Sequence, residues 1–209
     1  MSLNSAKKAR KFPRIAVILV VLLTGAGTAT GSLANPAFHE GELLVAARKI
    51  PDVRFAETVI FLCRHNAEGA LGLILNRPAG TLPLTNLLRS LGVENEITGD
   101  DIQIRLGGPV QLEAGFVMHE SAAPDPNRIC AHHGVTVSSN EEIIKKLGTS
   151  DGPASPVLFF GYTGWGPGQL EGEMRRKDWV TVPASRRLLF DPDLKNLWRK
   201  AISRRGVEL

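Results

Sequence analysis

The chain lacks the G-x-x-x-x-G-K-[ST] signature of a phosphate-binding P-loop and the G-x-G-x-x-G of a dinucleotide fold. It also lacks H-E-x-x-H, the helical histidine pair of zinc peptidases. These absences remove the common routes to nucleotide chemistry and metal-assisted hydrolysis. Only two cysteines occur, Cys63 and Cys130. That is too few for a disulfide-built scaffold, and the C-x₂₋₄-C spacing usual for structural zinc is missing. No acidic residue precedes Asn35. Five of the 25 Lys and Arg side chains (Lys7, Lys8, Arg10, Lys11 and Arg14) lie in that acid-free stretch, leaving 20 basic against 21 acidic residues from Asn35 onward. The overall charge of +4 is therefore a property of the N-terminus, and the body, at −1, has no basic excess with which to hold nucleic acid. Internal repeats and low-complexity segments are absent too. What remains is 43% hydrophobic, enough to build a core.

The N-terminus reads as an address. Residues 7–14 are basic, Ile15 to Leu23 is unbroken apolar sequence, and Ser32-Leu33-Ala34 places small residues where a signal peptidase needs them. Residues 1–34 are thus expected to be a signal peptide cleaved after Ala34. One alternative is an uncleaved membrane anchor, because the 19 residues from Ile15 to Leu33 carry no charge and can just span a bilayer; the plainest is a misassigned start codon or a disordered tail. With a signal peptide or an anchor the body, residues 35–209, lies outside the cytoplasm, exported or tethered to the inner membrane.

In the body, Glu42–Ala47, Thr58–Arg64 and Ala70–Leu75 read as strands, the last two joined as a hairpin through residues 65–69. Asn76 to Gly80 ends that pair. Leu84, Leu87, Leu88 and Leu91 recur at helical spacing and predict a helix over 83–91, stopped by Gly92. Ile102–Leu106, Gly115–His119, Val135–Val137 and Val157–Phe160 are further strands, with Gly107-Gly108-Pro109 as a turn. Ser139-Asn140-Glu141-Glu142 is a capping box for a helix closing at Gly148. Glycines 161, 164, 166 and 168 form a loop, followed by a helix over 169–177 with Glu171–Arg175 and Glu173–Lys177 at i,i+4. Pro192 opens the last helix. Short strands, hairpins and interspersed helices predict an α+β domain.

Four ordered blocks resemble the YqgE/AlgH family of bacterial proteins. The first is Gly41-Glu42-Leu43-Leu44-Val45-Ala46 with Phe55-Ala56-Glu57-Thr58-Val59-Ile60. The second is Cys63-Arg64-His65-Asn66 leading to Gly69-Ala70-Leu71-Gly72-Leu73-Ile74-Leu75-Asn76-Arg77-Pro78. The third is Gly107-Gly108-Pro109-Val110, and the fourth is Gly161-Tyr162-Thr163-Gly164-Trp165 with Gly168-Gln169-Leu170-Glu171 and Trp179. The resemblance implies a single compact α+β domain with a barrel-like, branched sheet packed around helices. It implies no established activity, although one branch of the family bears the name of a transcriptional regulator. The family is usually leaderless and cytoplasmic, so residues 1–34 depart from it.

Several groups are candidates for function. The glycine loop, with Gly161, Gly164 and Gly168 shaping the backbone and Trp165 and Gln169 making contacts, suits a ligand or peptide; tight packing of Trp165 on the sheet is the plainer reading. His65, Asn76 and Arg77 are candidates to line a pocket or, equally, to tie turns together by hydrogen bonds. Cys63 and Cys130 have three readings: buried thiols, a zinc site with His65 and His132, or a disulfide in an oxidising compartment. Arg199, Lys200, Arg204 and Arg205 are a basic face on the last helix, either solvated or facing an anionic surface. No catalytic residue, cofactor or resident metal is assigned. The first functional reading is a non-enzymatic binding or accessory module with a protein or small-molecule partner, in which Trp165→Ala abolishes capture and spares the fold. The membrane enters through residues 15–33 and nucleic acid does not. The alternatives are a cytoplasmic transcriptional regulator and a thiol-redox or ligand-processing enzyme using Cys63.

Overall fold

Strand β2 (Val59–Asn66) shows how the sheet is covered. Val59, Phe61 and Cys63 point to one face and pack with Leu43, Val45, Leu73 and Trp198, while Ile60 and Leu62 point to the other and pack with Leu44, Ile74 and Trp179. The side-chain period of two therefore feeds two cores, one on each face. Full burial of Ile60, Phe61 and Leu62 contributes about 1.5–3 kcal/mol each. These relations come from a computed structural model that describes residues 38–93, 101–120, 126–147, 149 and 152–204. The expected leader, residues 1–34, lies outside them, as do Gly148, Arg205 and residues 121–125.

Among the described residues ten strands make one mostly antiparallel sheet. β1 (Leu43–Ala46) and β10 (Trp179–Val182) lie beside β2, followed by β3 (Gly69–Ile74), β9 (Ala154–Trp165), β6 (Val110–Glu120), β8 (Val135–Ser138) and β7 (Arg128–His132), so the path runs β10-β1-β2-β3-β9-β6-β8-β7. β4 (Pro78–Leu82) pairs with β5 (Ile102–Leu106), and β5 joins β9 in parallel. β9 thus has three partners: β6 from Ala154 to Tyr162, β5 over Val157–Phe160 on its other side, and β3 at its end, Thr163–Trp165. Among the described residues five α-helices cover the sheet. α3 (Gln169–Arg175) lies over the β1–β3 face through Leu170 and Met174. α4 (Arg186–Leu189) and α5 (Leu197–Ile202) close the opposite core. α1 (Leu84–Ser90) and α2 (Glu141–Lys145) flank a third cluster around Leu88, Val117 and Leu158. The domain is a single compact α+β unit, as its sequence pattern indicates. Among the described residues no helix is long and apolar enough to cross a membrane.

Several local readings change. The expected glycine loop is largely strand: β9 continues through Trp165. Gly161 sits there at φ +69, and a Cβ on it would lie 2.4 Å from the Gly108 carbonyl oxygen. A Cβ on Gly107 would lie 2.3 Å from the Gly161 oxygen. The glycines let two backbones cross in contact, Gly107 N donating to Phe160 O at 2.8 Å. The residues after Asn76 pair as β4 rather than ending in a turn. Asn140, not Ser139, caps α2, its side chain accepting from Ile143 N at 2.8 Å. Helix α3 ends at Arg175, with Lys177 beyond it at φ +63. The two i,i+4 pairs expected along it are replaced by other contacts, described below.

Candidate functional site

The end of β9 turns into α3 through Gly166–Gly168, with Gly168 at φ +73 opening the helix. Gln169 sets this turn, its side-chain oxygen accepting from Gly166 N at 3.1 Å. One helical turn later is Glu173, which shares a helix face with Gln169. The Glu173 carboxylate is the hub of the region. One oxygen accepts from Gln169 Nε2 at 3.0 Å. The other accepts from the indole N–H of Trp165 at 2.9 Å and of Trp179 at 2.8 Å. β9, α3 and β10 are thereby tied through one charged acceptor, and bonds to a charged acceptor are the stronger kind. The two indoles meet edge to face at 6.0 Å, and Phe55 meets Trp179 in the same way at 5.7 Å.

These side chains bound an open cleft of about 380 Å³. Its rim carries two ion pairs. Arg54 holds Asp52 through bonds of 2.6–3.1 Å, and Arg176 holds Asp178 at 2.8 Å. Hydrogen bonding from Arg54 keeps the Asp52 carboxyl below its ordinary range and raises the guanidinium in return. Gly164 and Gln169 are exposed on the cleft, with Pro109 and Val110 completing the far side. The cleft thus offers apolar rings, backbone, and charges that are already paired.

The candidates from sequence divide. Gly164, Trp165 and Gln169 come together here; Gly168 shapes the turn, and Gly161 belongs to the β9 crossing. Asn76 and Arg77 do not line the cleft. Asn76 accepts from Val59 N at 2.9 Å and donates to Glu57 O at 2.8 Å, while Arg77 donates to Ala56 O at 2.8 Å. They anchor the backbone that follows Phe55. The expected grouping with His65 fails for a topological reason: in the β2–β3 hairpin Ile60 faces Ile74 and His65 faces Ala70, so Asn76 and His65 stand at opposite ends.

His65 is 2% exposed. Its Nδ1 accepts from His39 N at 3.0 Å, so the neutral ring carries its proton on Nε2, which lies 3.4 Å from Glu171 Oε1. Burial pushes its pKa below the ordinary histidine value, against the pull of Glu171. Cys63 and Cys130 form a disulfide, their Cα atoms 5.4 Å apart. In that state neither sulfur is a thiolate, which leaves a zinc site or a reactive Cys63 without its ligand or nucleophile. Sequence reasoning missed Glu173, which it placed in a surface pair with Lys177, together with Arg54, Phe55, Arg176 and Asp178. The i,i+4 spacing of Gln169 and Glu173 beside two tryptophans was the available signal. One motif it passed over is Gly148-Thr149-Ser150-Asp151-Gly152, which has G-x-S-x-G spacing. It follows α2 and precedes β9, whereas a nucleophile elbow runs from a strand into a helix; residues 148, 150 and 151 lie outside the described set.

Known proteins with similar sequence and fold place the chain. The AlgH-like family model matches residues 43–209. A UPF0301 protein of Rhodospirillum rubrum is 35% identical over 174 residues, covering 81% of this chain and 91% of that protein. A UPF0301 protein of Caulobacter vibrioides is 39% identical over 173 residues, covering 81% and 88%. The solution structure of AlgH from Pseudomonas aeruginosa superposes with a TM-score of 0.68 at 32% identity, covering 85% of this chain and 94% of that one. The crystal structure of DIP2367 from Corynebacterium diphtheriae shares the fold, with a TM-score of 0.60 at 22% identity and coverage of 84% and 92%. The chain therefore belongs to the AlgH-like, UPF0301 family.

Proposed function

We propose that this protein is a non-enzymatic binding module whose contact surface is the cleft between α3, β10 and the 50–55 segment. The observation that carries the reading is the Glu173 hub, which fixes two indoles and a glutamine around an open cleft before any partner arrives. Preorganised aromatic walls lower the ordering cost of association. Trp165 is a wall of the cleft and part of the core, 7% exposed. Trp165→Ala therefore costs about 3–5 kcal/mol in stability and does not spare the fold. The informative positions are on the exposed rim. A photocrosslinker at position 54 of the full-length protein in its native host should give a defined product that is absent when the crosslinker is at exposed Arg187. Identical products from both positions would sink the reading. Salt-sensitive binding of duplex DNA by the full-length chain would instead favour the regulator reading.

Export or tethering through residues 1–34 belongs to the same proposal. It is supported by the basic-then-apolar leader and by the Cys63–Cys130 disulfide, which suits an oxidising compartment. The intact mass of protein from its host, under non-reducing conditions, should match residues 35–209 less two hydrogens, or the whole chain in the membrane fraction. A full-length, reduced protein in the cytosol is the contrary result. A barrel-like closure of the branched sheet is likewise our reading, supported by the disulfide that returns β7 to β2.

A further inference from the structure

Among the described residues β10 pairs with β1 alone, which makes it an edge strand. Ala47 N donates to Asp178 O at 2.9 Å, and the register pairs Val45 with Val180 and Leu43 with Val182. Peptide groups alternate sides along a strand. Residues 178, 180 and 182 therefore turn theirs to β1, and Trp179 and Thr181 turn their N–H and C=O groups outward. Among the described residues no hydrogen bond reaches those four groups. Other strand ends in the sheet are blunted: β4 begins with Pro78 and contains Gly80, and β7 is bonded to β2 through the disulfide. β10 contains neither proline nor glycine and carries no disulfide; it is short, four residues, and Pro183 follows it.

Beside the start of this edge is a second cleft, of about 490 Å³, lined by Ala47, Arg48, Lys49, Lys177, Trp179, Val180 and Ile202. Arg48, Lys49 and Lys177 are all exposed, and no carboxylate among the described residues forms an ion pair with them. Arg48 is held in place with its guanidinium 5.3 Å from the centre of the Trp198 ring. Three cations on an apolar floor thus stand where a strand added to β10 would begin or end.

We infer that the outer edge of β10 receives an extended peptide segment, which adds a strand through Trp179 and Thr181 and sets acidic side chains against Arg48, Lys49 and Lys177. Main-chain bonds to an exposed edge supply affinity in this mode, and side-chain pockets supply selectivity. The surface is separate from the opening of the Glu173 cleft, although Trp179 contributes to both, its backbone to one and its ring to the other. The inference does not depend on the cleft being occupied.

The test uses the full-length protein and two labelled peptides, Asp-Glu-Val-Thr-Val-Thr and its counterpart Lys-Lys-Val-Thr-Val-Thr, read by fluorescence anisotropy, with hydrogen exchange read at individual amides. The acidic peptide should bind at least tenfold more tightly than the basic one, weaken as salt rises, and slow exchange at the Trp179 and Thr181 amides. Thr181→Pro deletes one outward N–H and leaves the β1 ladder intact, a position where an edge strand tolerates proline; binding should fall at least tenfold with an unchanged melting temperature. Lys49→Glu combined with Lys177→Glu, both exposed, should lower affinity about fivefold at low salt without touching the backbone. Equal binding of both peptides, full binding by Thr181→Pro, or no binding at all would overturn the inference, the last leaving the lysines as guards against edge pairing. Concentration-dependent protection of the Thr181 amide without peptide would overturn it in favour of a second copy of this chain.

Discussion

Glu173→Gln is the sharpest perturbation of the site. It keeps size and shape and removes only charge and one acceptor. The new amide oxygen can take the place of Oε2 and keep both indole donors, but as a neutral acceptor. The amide nitrogen then faces Gln169 Nε2, donor against donor, where the wild type has a 3.0 Å bond. Gln169 cannot rescue the contact by turning its amide over, because its oxygen already holds Gly166 N. One bond is lost and two are weakened. Charged hydrogen bonds are worth about 1.5–3 kcal/mol and neutral ones about 0.5–1.5, so the half-buried site should lose about 2–3 kcal/mol. For a domain of this size that is a fall of roughly 5–10 °C in melting temperature. Urea melts of Glu173→Gln, Gln169→Ala and the double variant should show coupling of about 1 kcal/mol, as expected for residues in one network. A loss under about 0.5 kcal/mol for Glu173→Gln, or strict additivity in the cycle, would refute the hub.

Two further outcomes follow from the same contacts. The disulfide closes a loop of 67 residues, so Cys63→Ala with Cys130→Ala should destabilise the chain by about 4 kcal/mol on the loop-entropy model, seen as a lower urea midpoint; an unchanged midpoint counts against it. His65 is held neutral in the fold, its pKa lowered mainly by burial, so its contribution to stability is complete above the unfolded value of about 6.5 and is lost as pH falls below it. Urea midpoints compared at pH 8 and pH 5 should fall more steeply in the wild type than in His65→Gln, and parallel slopes would contradict the assignment.

The legible parts of this chain were those where composition and period agree. β2 and β3 are apolar runs around a short polar turn, and α1 has Leu84, Leu87 and Leu88 on one face, with Leu91 at its C-cap. The missed elements carry misleading local signals. β4 reads Pro-Ala-Gly-Thr-Leu and is exposed, so it looks like a turn; only its pairing with β5 makes it a strand. β10 is four residues long and begins three residues after a helix. The glycines of β9 pointed to a loop because glycine weakens isolated strands, yet at 161 the missing Cβ admits the 107–108 backbone. At the site, Trp165 and Gln169 were visible as members of one segment. Glu173 was not, because on a helix surface a glutamate four residues from a lysine predicts an ion pair. The partner that displaced the lysine, Trp179, comes from β10, an element that sequence reasoning did not find.

The Cys63–Cys130 bond also sets how the domain carries load. It joins β2 to β7, so the run β2-β3-β9-β6-β8-β7 is a closed circuit with one covalent link, and β1 and β10 hang outside it. Tension arriving from the N-terminal side meets the His39–His65 bond, the Glu40–His132 ion pair and the bond from Gly41 N to Leu62 O before it reaches β1. To free β1 it must shear three residue pairs against β2 and four against β10. Whatever reaches β2 beyond that is shared between a ladder and a sulfur–sulfur bond. The disulfide thus shields the circuit from β2 to β7 and leaves the ladders of β1 and β10 to hydrogen bonds and packing alone.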